Sequence, residues 1–225
     1  MTINLQDYIA GGFYITHYMS RPAWMQADLI PDEYLSLSGC ISDRLPVASS
    51  WLTDVPDEAK NLGMTPDLWE SFKEWSNDNL GKQFGYPDTF YTLEAARRIL
   101  KHYFPIPNQL MIMGIGLHKS RVQAFLTQHQ DSGDYYGVYK VLSQLHVLRE
   151  GALIKGLEVL GYGNGINHSW LCYNMEWQCH QKLGIAPNDA GLLGESDADA
   201  VNAYVNENEG GWSWQPWLVV QYPSD

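Results

Sequence analysis

The sequence has few cysteines, few cationic side chains and no long apolar run. Its three cysteines are too few for a disulfide framework, and their odd number fits a reducing compartment in which thiols stay free. Only 14 Lys and Arg residues face 26 Asp and Glu residues, and the resulting formal net charge of −12 argues against binding to nucleic acid. No apolar stretch approaches the roughly 18 residues that cross a membrane. We therefore expect a cytoplasmic protein that binds neither nucleic acid nor membranes.

Length and patterning predict an α+β protein. With 225 residues, of which 45% are hydrophobic, the chain is long enough to form one packed core. We predict a single compact α+β domain over residues 1–225, with a small central sheet and several flanking helices. Residues 1–60 are expected to be loop-rich, because repeated X-Pro steps disfavour helix. Residues 61–130 are expected to be mainly helical, and residues 135–225 to combine strands and helices.

Helix signals are clearest in the middle of the chain. Thr65-Pro66-Asp67 supplies an N-cap, a proline at the first helical position and an acid in the first turn, which predicts a helix from about 65 to 80, ended by Gly81. The last predicted helix follows Ser196, with Asp199 at the capping-box position. Apolar residues at helical spacing also predict helices over 92–104, around 122–126, and from 167 or 169 to 183, where Gly184 caps the end.

Short apolar runs predict the strands of the sheet. Residues 110–117, 152–162 and 217–222 are brief, apolar and bounded by turn signals, which is typical of buried strands. After the second of these strands, the glycines at 163 and 165 are expected to form a tight turn that uses positive φ angles. Residues 131–134 predict a loop, whereas residues 135–148 fit a helix and a strand equally well.

His168 and Cys172 are the candidate catalytic residues. On a helix they would lie four residues apart on one face, where an imidazolium and the helix amino terminus both favour a thiolate. Alternatively, Cys172 is a small core residue beside Met175 and Cys179, and His168 completes the start of the helix. The glycine turn that precedes this helix could also bind a small anion through its backbone N–H groups.

A metal site in this region lacks the usual ligand spacing. The sequence contains no CxxC or HExxH motif. On one straight helix, Cys172 and Cys179 would lie about 10 Å apart, too far to share a zinc ion. A site combining His168 with Cys172, or Cys179 with a residue from elsewhere, stays open. We predict no metal and no cofactor.

The carboxyl-terminal segment is acidic and rich in tryptophan. After Lys182, the remaining 43 residues contain seven acids and no Lys or Arg. Carboxylates beside rigid indoles suit the capture of a basic partner, because charge accelerates encounter and aromatic rings anchor an interface. Alternatively, the indoles pack the terminal strand and the acids only keep the protein soluble. The residues predicted to bind a partner are Asp197, Asp199, Glu207, Glu209, Trp212 and Trp214.

Three stretches in the last third of the chain resemble sequences of uncharacterised bacterial proteins. The stretches are His168-Ser169-Trp170-Leu171-Cys172, Asn188-Asp189-Ala190-Gly191-Leu192 and Trp214-Gln215-Pro216-Trp217-Leu218-Val219-Val220. The resemblance implies a bacterial, cytoplasmic protein. It assigns no activity and no site residue.

Three functional hypotheses follow from the sequence. The leading one is an acidic cytoplasmic protein that recognises a basic protein partner, for instance by neutralising a toxin as immunity proteins do. The second is a small-molecule enzyme or ligand-binding protein that uses the glycine turn with His168 and Cys172. The third is a structural or assembly subunit. The sequence favours a binding protein over an enzyme and gives no prediction of the oligomeric state.

Overall fold

A computed structural model of the protein describes residues 3–41, 55, 57–86, 88–132, 137–163 and 166–224. An antiparallel sheet of seven strands forms its centre, and α-helices pack against the sheet. This arrangement confirms the predicted α+β class. The helices that the structure describes include none that is long and apolar enough to span a membrane.

Nine strands and seven α-helices lie within the described ranges. The strands are β1 (Tyr8–Thr16), β2 (Met19–Ser20), β3 (Glu33–Tyr34), β4 (Phe84–Gly85), β5 (Thr89–Phe90), β6 (Met111–His118), β7 (Leu153–Gly163), β8 (Ile166–Ser169) and β9 (Ser213–Tyr222). The helices are α1 (Asp57–Asn61), α2 (Pro66–Asn79), α3 (Leu93–Tyr103), α4 (Lys119–Gln128), α5 (Gly137–Leu142), α6 (Met175–Leu183) and α7 (Glu195–Asn208).

The three predicted strands are β6, β7 and β9, and they lie side by side at the centre of the sheet. The strand order is β4-β5-β1-β6-β9-β7-β8, and a separate small sheet pairs β2 with β3. Alternate residues of β9 belong to two different hydrophobic clusters. Leu218 and Val220 pack in one cluster, and Trp217 and Val219 pack in the other. Both faces of the sheet are therefore covered, which explains why its strands read as continuous apolar runs.

The amino-terminal part contains a long strand that the sequence analysis did not predict. All nine residues of β1 are buried, and the strand pairs with β6 through a bulge between Ala10 and Gly12. The X-Pro steps that suggested loops begin only at Arg21-Pro22, after this strand has ended. Residues 42–54 and 56 of the predicted loop-rich part lie outside the described residues.

The helices in the middle of the chain begin where their caps predict. Thr65 Oγ1 accepts a hydrogen bond from the N–H of Leu68 at 3.3 Å, and Thr92 Oγ1 accepts one from Ala95 at 3.1 Å. The first of these helices, α2, ends at Asn79 with Leu80 as its C-cap, slightly before the predicted Gly81. Within the ambiguous stretch 135–148, residues 137–142 form the helix α5 and residues 143–148 are not helical. Residues 133 and 134 of the predicted loop lie outside the described residues.

Two predicted helix starts in the last third of the chain are wrong. The helix expected from 167 or 169 begins only at Met175, because residues 166–169 pair with β7 as strand β8. Its predicted end is confirmed, since Gly184 adopts φ 70° and donates to the carbonyl of His180. The last helix, α7, has Gly194 as its N-cap without a side-chain hydrogen bond, so Asp199 does not complete a capping box.

Gly161 lies in β7, within the predicted strand 152–162, whereas Gly163, the first residue of the predicted turn, is the last residue of β7. The φ angles of both glycines are not positive. The two glycines instead make room for indoles, since a Cβ at Gly161 would lie 2.7 Å from the Trp214 ring and one at Gly163 would lie 2.8 Å from Trp212. The remaining two residues of the predicted turn, 164 and 165, lie outside the described residues.

Glu176 in the first turn of α6 is a fully buried carboxyl whose oxygens have no hydrogen-bonding partner among the described residues. Burial raises its pKa to about 7 from an ordinary 4.5, and nearby backbone N–H groups oppose this only in part. The folded state favours the protonated form of Glu176. Its contribution to the free energy of unfolding is therefore fully present below pH 4.5 and is lost as the pH rises through 7. We expect Glu176→Gln to raise the unfolding free energy at pH 8 by about 2 kcal/mol.

Urea denaturation between pH 4 and 8 measures this effect. The variant should lose the decline that the native protein shows over this range. Glu207→Gln, at an exposed position of α7, is the matched control and should follow the native pH profile. A native stability that rises from pH 5 to pH 8, with no gain from Glu176→Gln, would contradict the prediction.

Candidate functional site

A segment that leaves β3 and continues to Ile41 carries Cys40. Asn167 in β8 fixes this segment, because its Nδ2 donates to the carbonyl of Leu37 at 2.9 Å and its Oδ1 accepts from the N–H of Gly39 at 2.8 Å. The Gly39 N–H also donates to the backbone carbonyl of Asn167 at 2.9 Å. Asn167 is fully buried, so water does not compete for these bonds. The residue before Cys40 is thereby joined to strand β8.

Glu158 in β7 holds the same segment slightly earlier along the chain. Its side chain is fully buried, and Oε2 accepts from the N–H of Leu37 at 2.7 Å. Oε1 accepts a short hydrogen bond from the hydroxyl of Ser36. A buried carboxylate is tolerated when donors of this kind surround it, since an unpaired charge is expensive away from water. Glu158 and Asn167 together set the course of residues 36–39.

The structure brings His168 and Cys172 together differently from the predicted helix. His168 lies in β8, opposite Gly161 of β7, and Cys172 lies in the turn that follows β8. The N–H of Cys172 donates to the carbonyl of Ser169 at 2.9 Å, which closes this turn. The prediction that the two residues share one helical face is therefore wrong, although their proximity is correct.

The turn after Cys172 has an uncommon backbone conformation. Tyr173 and Asn174 both adopt φ 58°, in the left-handed region that bulky residues such as tyrosine rarely occupy. Such residues cost on the order of 1 kcal/mol or more, and they concentrate at functional sites. Tyr173 is nevertheless 74% exposed, so its ring does not offset this cost by burial. The conformation directs the chain away from β8 immediately after Cys172.

Cys40, His168 and Cys172 form a compact cluster. One ring nitrogen of His168 and the two sulfur atoms all lie within 4.8 Å of one another. Cys40 is exposed, whereas His168 and Cys172 are 6% and 2% exposed. The third cysteine, Cys179, is fully buried in α6 and does not belong to this cluster.

The two thiols of the cluster have opposite pKa shifts. A hydrogen bond from Cys172 is the largest cause that lowers the pKa of the Cys40 thiol to about 5, and hydrogen bonds from Ser38 and the Ser169 backbone add to it. The resulting Cys40 thiolate and burial both raise the pKa of Cys172 well above its ordinary range. At neutral pH the pair therefore holds one proton, which stays on the buried sulfur.

Two recesses meet at the exposed Cys40. One of about 280 Å³ is lined by Trp24, Cys40, Ile41, Cys172 and Tyr173, and we call it the aromatic cleft. A second recess of about 290 Å³ shares Trp24, Cys40 and Ile41 and extends towards β2. Trp24 is 48% exposed, so with Tyr173 it places two solvent-accessible rings beside the reactive sulfur. An exposed thiolate between apolar walls can meet a ligand directly.

His168 is enclosed by aromatic rings. Its ring meets the indole of Trp212 edge to face at 4.1 Å between centroids, and the ring of Tyr173 lies 5.6 Å away. Its Nδ1 atom is buried and forms no hydrogen bond within the described residues. Packing against these two rings therefore contributes to the orientation of the imidazole.

The residues predicted to bind a basic partner occupy different environments. Trp214 is 1% exposed and donates from Nε1 to the carbonyl of Glu209 at 3.2 Å, so it cannot anchor a partner. Trp212 is half-buried against His168, and Asp199 forms an ion pair with Arg121 at 2.8 Å. Asp197 and Glu209 are partly exposed and Glu207 is exposed. Recognition of a basic protein stays a prediction, without Trp214 as an anchor.

The sequence analysis missed Cys40 and the aromatic residues beside it. Cys40 is more than a hundred positions from His168, and no motif links the two. The contact depends on β8 pairing with β7 and on the hydrogen bonds of Asn167, neither of which leaves a local signature in the sequence. From the sequence, Cys40 is distinguished in no way from the other two thiols.

We expect Asn167→Ala to lower the free energy of unfolding by about 2 kcal/mol, because it leaves the buried carbonyl of Leu37 without its donor and removes the side-chain hydrogen bond to the N–H of Gly39. Urea denaturation at neutral pH measures the change. Asn208→Ala, at the exposed end of α7, is the control and should change stability by less than about 0.5 kcal/mol. Equal stability of the two variants would show that the segment is not held in this way.

The alkylation rate of Cys40 should depend on Cys172. In metal-free reduced protein, the rate constant should rise with pH through a midpoint of about 5, because the thiolate is the nucleophile. Cys172→Ala removes the donated hydrogen bond and should raise this midpoint by at least about one pH unit. Peptide mapping after iodoacetamide treatment at each pH gives the profile. Cys179→Ala should leave it unchanged, and a native midpoint near 8.5 would contradict the described contact.

Comparisons with known proteins add no functional assignment. No protein-family model, no curated protein and no solved structure matches the chain. The functional argument therefore depends on the geometry of the cluster formed by Cys40, His168 and Cys172.

Proposed function

We propose that the protein is a thiol–disulfide oxidoreductase in which Cys40 attacks a disulfide substrate and Cys172 resolves the mixed disulfide. One observation carries this proposal. An exposed sulfur at the mouth of a cleft lies within 4.8 Å of a sulfur that is almost completely buried. Exchange with an internal resolving cysteine uses one accessible thiol that attacks the substrate and a second, sheltered thiol beside it.

The first step is attack by Cys40. Its thiolate displaces one sulfur of a disulfide R–S–S–R′, which forms a bond between Cys40 and the SR sulfur and releases R′S⁻. The lowered pKa of Cys40 keeps the attacking form populated at neutral pH. Cys172 is buried and protonated, so it does not compete for the substrate at this stage.

The second step is resolution by Cys172. Once Cys40 is bonded to the substrate it no longer carries the negative charge that raises the pKa of Cys172. His168, whose ring nitrogen lies within 4.8 Å of the Cys172 sulfur, accepts its proton. The Cys172 thiolate then attacks Cys40, which forms the Cys40–Cys172 disulfide and releases RS⁻. Two electrons have passed to the substrate, and an external thiol reductant restores the dithiol.

The aromatic cleft supplies the surface for the substrate. Its volume of about 280 Å³ is slightly below the roughly 300–1,000 Å³ of sites that enclose whole drug-sized ligands. It suits one arm of a small disulfide or one side chain of a peptide. Trp24 and Tyr173 offer ring faces to the groups that flank the scissile bond.

This proposal refines the enzyme hypothesis from the sequence. That hypothesis paired His168 with Cys172, whereas here Cys40 is the nucleophile, Cys172 resolves and His168 moves the proton. The predicted cytoplasmic location accords with the chemistry, because a reducing compartment regenerates the dithiol after each exchange.

A trapping experiment with oxidised glutathione tests the proposal. Cys172→Ser should accumulate protein with one glutathione on Cys40, because the resolving thiol is gone. The native protein should release both halves of the glutathione disulfide and lose two hydrogens on forming the internal bond. Intact-mass spectrometry after acid quenching, followed by peptide mapping, separates these products.

Two control variants make the outcome specific. Cys179→Ser should react like the native protein, since Cys179 is not in the cluster. Cys40→Ser alters an exposed side chain and should abolish the early mixed disulfide. Native protein that keeps glutathione on Cys40 as long as Cys172→Ser does would refute the resolving role.

A further inference from the structure

We propose that Cys40, His168 and Cys172 form a binding site for a zinc ion in the reduced protein. Two sulfurs and an imidazole nitrogen are donors that zinc prefers, and all three lie within 4.8 Å of one another. The inference goes beyond the exchange activity and does not depend on it, because metal binding needs the donors to converge but needs no reactivity.

The separations suit one ion with little rearrangement. Zinc binds sulfur at about 2.3 Å and imidazole nitrogen at about 2.0–2.1 Å, so donors on a tetrahedral ion lie about 3.5–3.8 Å apart. The donors, all within 4.8 Å of one another, are at most about 1.3 Å farther apart than this. His168 belongs to β8 and Cys172 to the turn that follows it, and Cys40 comes from the segment that Asn167 holds.

His168 provides an independent observation that points to a ligand. His168 is only 6% exposed, and its Nδ1 atom has no hydrogen-bonding partner in the described part of the chain. Buried polar groups in native proteins are nearly always partnered. A metal ion beside the two sulfurs would bond the imidazole, and the edge contact with Trp212 already fixes the ring plane.

Charge balance also favours a divalent ion here. A zinc ion with two thiolates carries no net charge, so it can occupy a half-buried position without an uncompensated charge. Cysteine ligands must be deprotonated to bind the metal, and metal affinity should therefore increase with pH.

The fourth coordination position would face the aromatic cleft. Cys40 and Cys172 both line that cleft and Cys40 is the exposed member of the cluster, whereas His168 is buried. Three protein ligands with one open position are typical of zinc sites that take a water molecule or a substrate atom. The site would thus be accessible rather than closed.

The zinc ion and the Cys40–Cys172 disulfide exclude each other. Both need the same two sulfurs, and an oxidised pair has no thiolate to offer. We therefore expect oxidation to release the metal and zinc to protect both cysteines from alkylation. Cys179 lies outside the cluster and is alkylated only after the protein is unfolded. The extent of its alkylation should be the same with and without zinc, so it serves as an internal reference.

Zinc titration of reduced, chelator-treated protein by calorimetry tests the site. We expect one ion per chain in the native protein and in Cys179→Ser. Affinity should fall by more than about tenfold in each of Cys40→Ser, Cys172→Ser and His168→Gln. Cobalt as a spectroscopic probe should give a sulfur-to-metal charge-transfer band that weakens when either cysteine is replaced.

Cys40→Ser distinguishes loss of the zinc site from loss of folding. Because this residue is exposed, its replacement should leave the thermal unfolding midpoint unchanged. Zinc binding that is equally strong in the native protein and in all three cluster variants would overturn the proposed site, as would the absence of binding to native protein. The glutathione experiment on the same variants separates the two proposals. Disulfide exchange without zinc binding would refute only the zinc site. Zinc binding without disulfide exchange would refute only the oxidoreductase activity.

Discussion

The buried hydrogen bonds that Asn167 and Glu158 make to residues 36–39 are the constraint on which the site depends. Backbone groups of this segment are removed from water and must find partners, and these two side chains provide them. Because the side chains belong to neighbouring strands, the pairing of β7 with β8 determines where the segment lies. Cys40 follows this segment directly and is therefore placed beside Cys172.

A difference in solvent exposure then gives two chemically similar thiols different roles. The exposed sulfur of Cys40 receives a hydrogen bond and becomes the thiolate, while burial keeps the proton on Cys172. His168 reaches both sulfurs, so the same three side chains can pass a proton during exchange or bind a metal ion when reduced. The two proposals therefore describe alternative states of one cluster, which depend on the redox environment and on the metal supply.

Local signals in the sequence predicted the centre of the sheet and the middle helices, but they did not predict the site. The apolar runs of β6, β7 and β9 and the caps at Thr65 and Thr92 are decided within a few residues, so their patterns suffice. Cys40 meets His168 only through a β pairing and a buried asparagine, which are tertiary contacts. The start of α6 was misplaced for the same reason, since pairing with β7 outweighs the helical spacing between His168 and Cys172.

The most direct measurement of the central claim is the connectivity of the disulfide formed by mild oxidation of the folded protein. Diamide treatment at neutral pH, followed by blocking of free thiols, digestion and mass spectrometry, identifies the bonded cysteines. The account predicts one intramolecular bond, between Cys40 and Cys172, with Cys179 recovered as a free thiol. A bond that includes Cys179, or a Cys40 that joins only other molecules, would contradict the contact from which both proposals start.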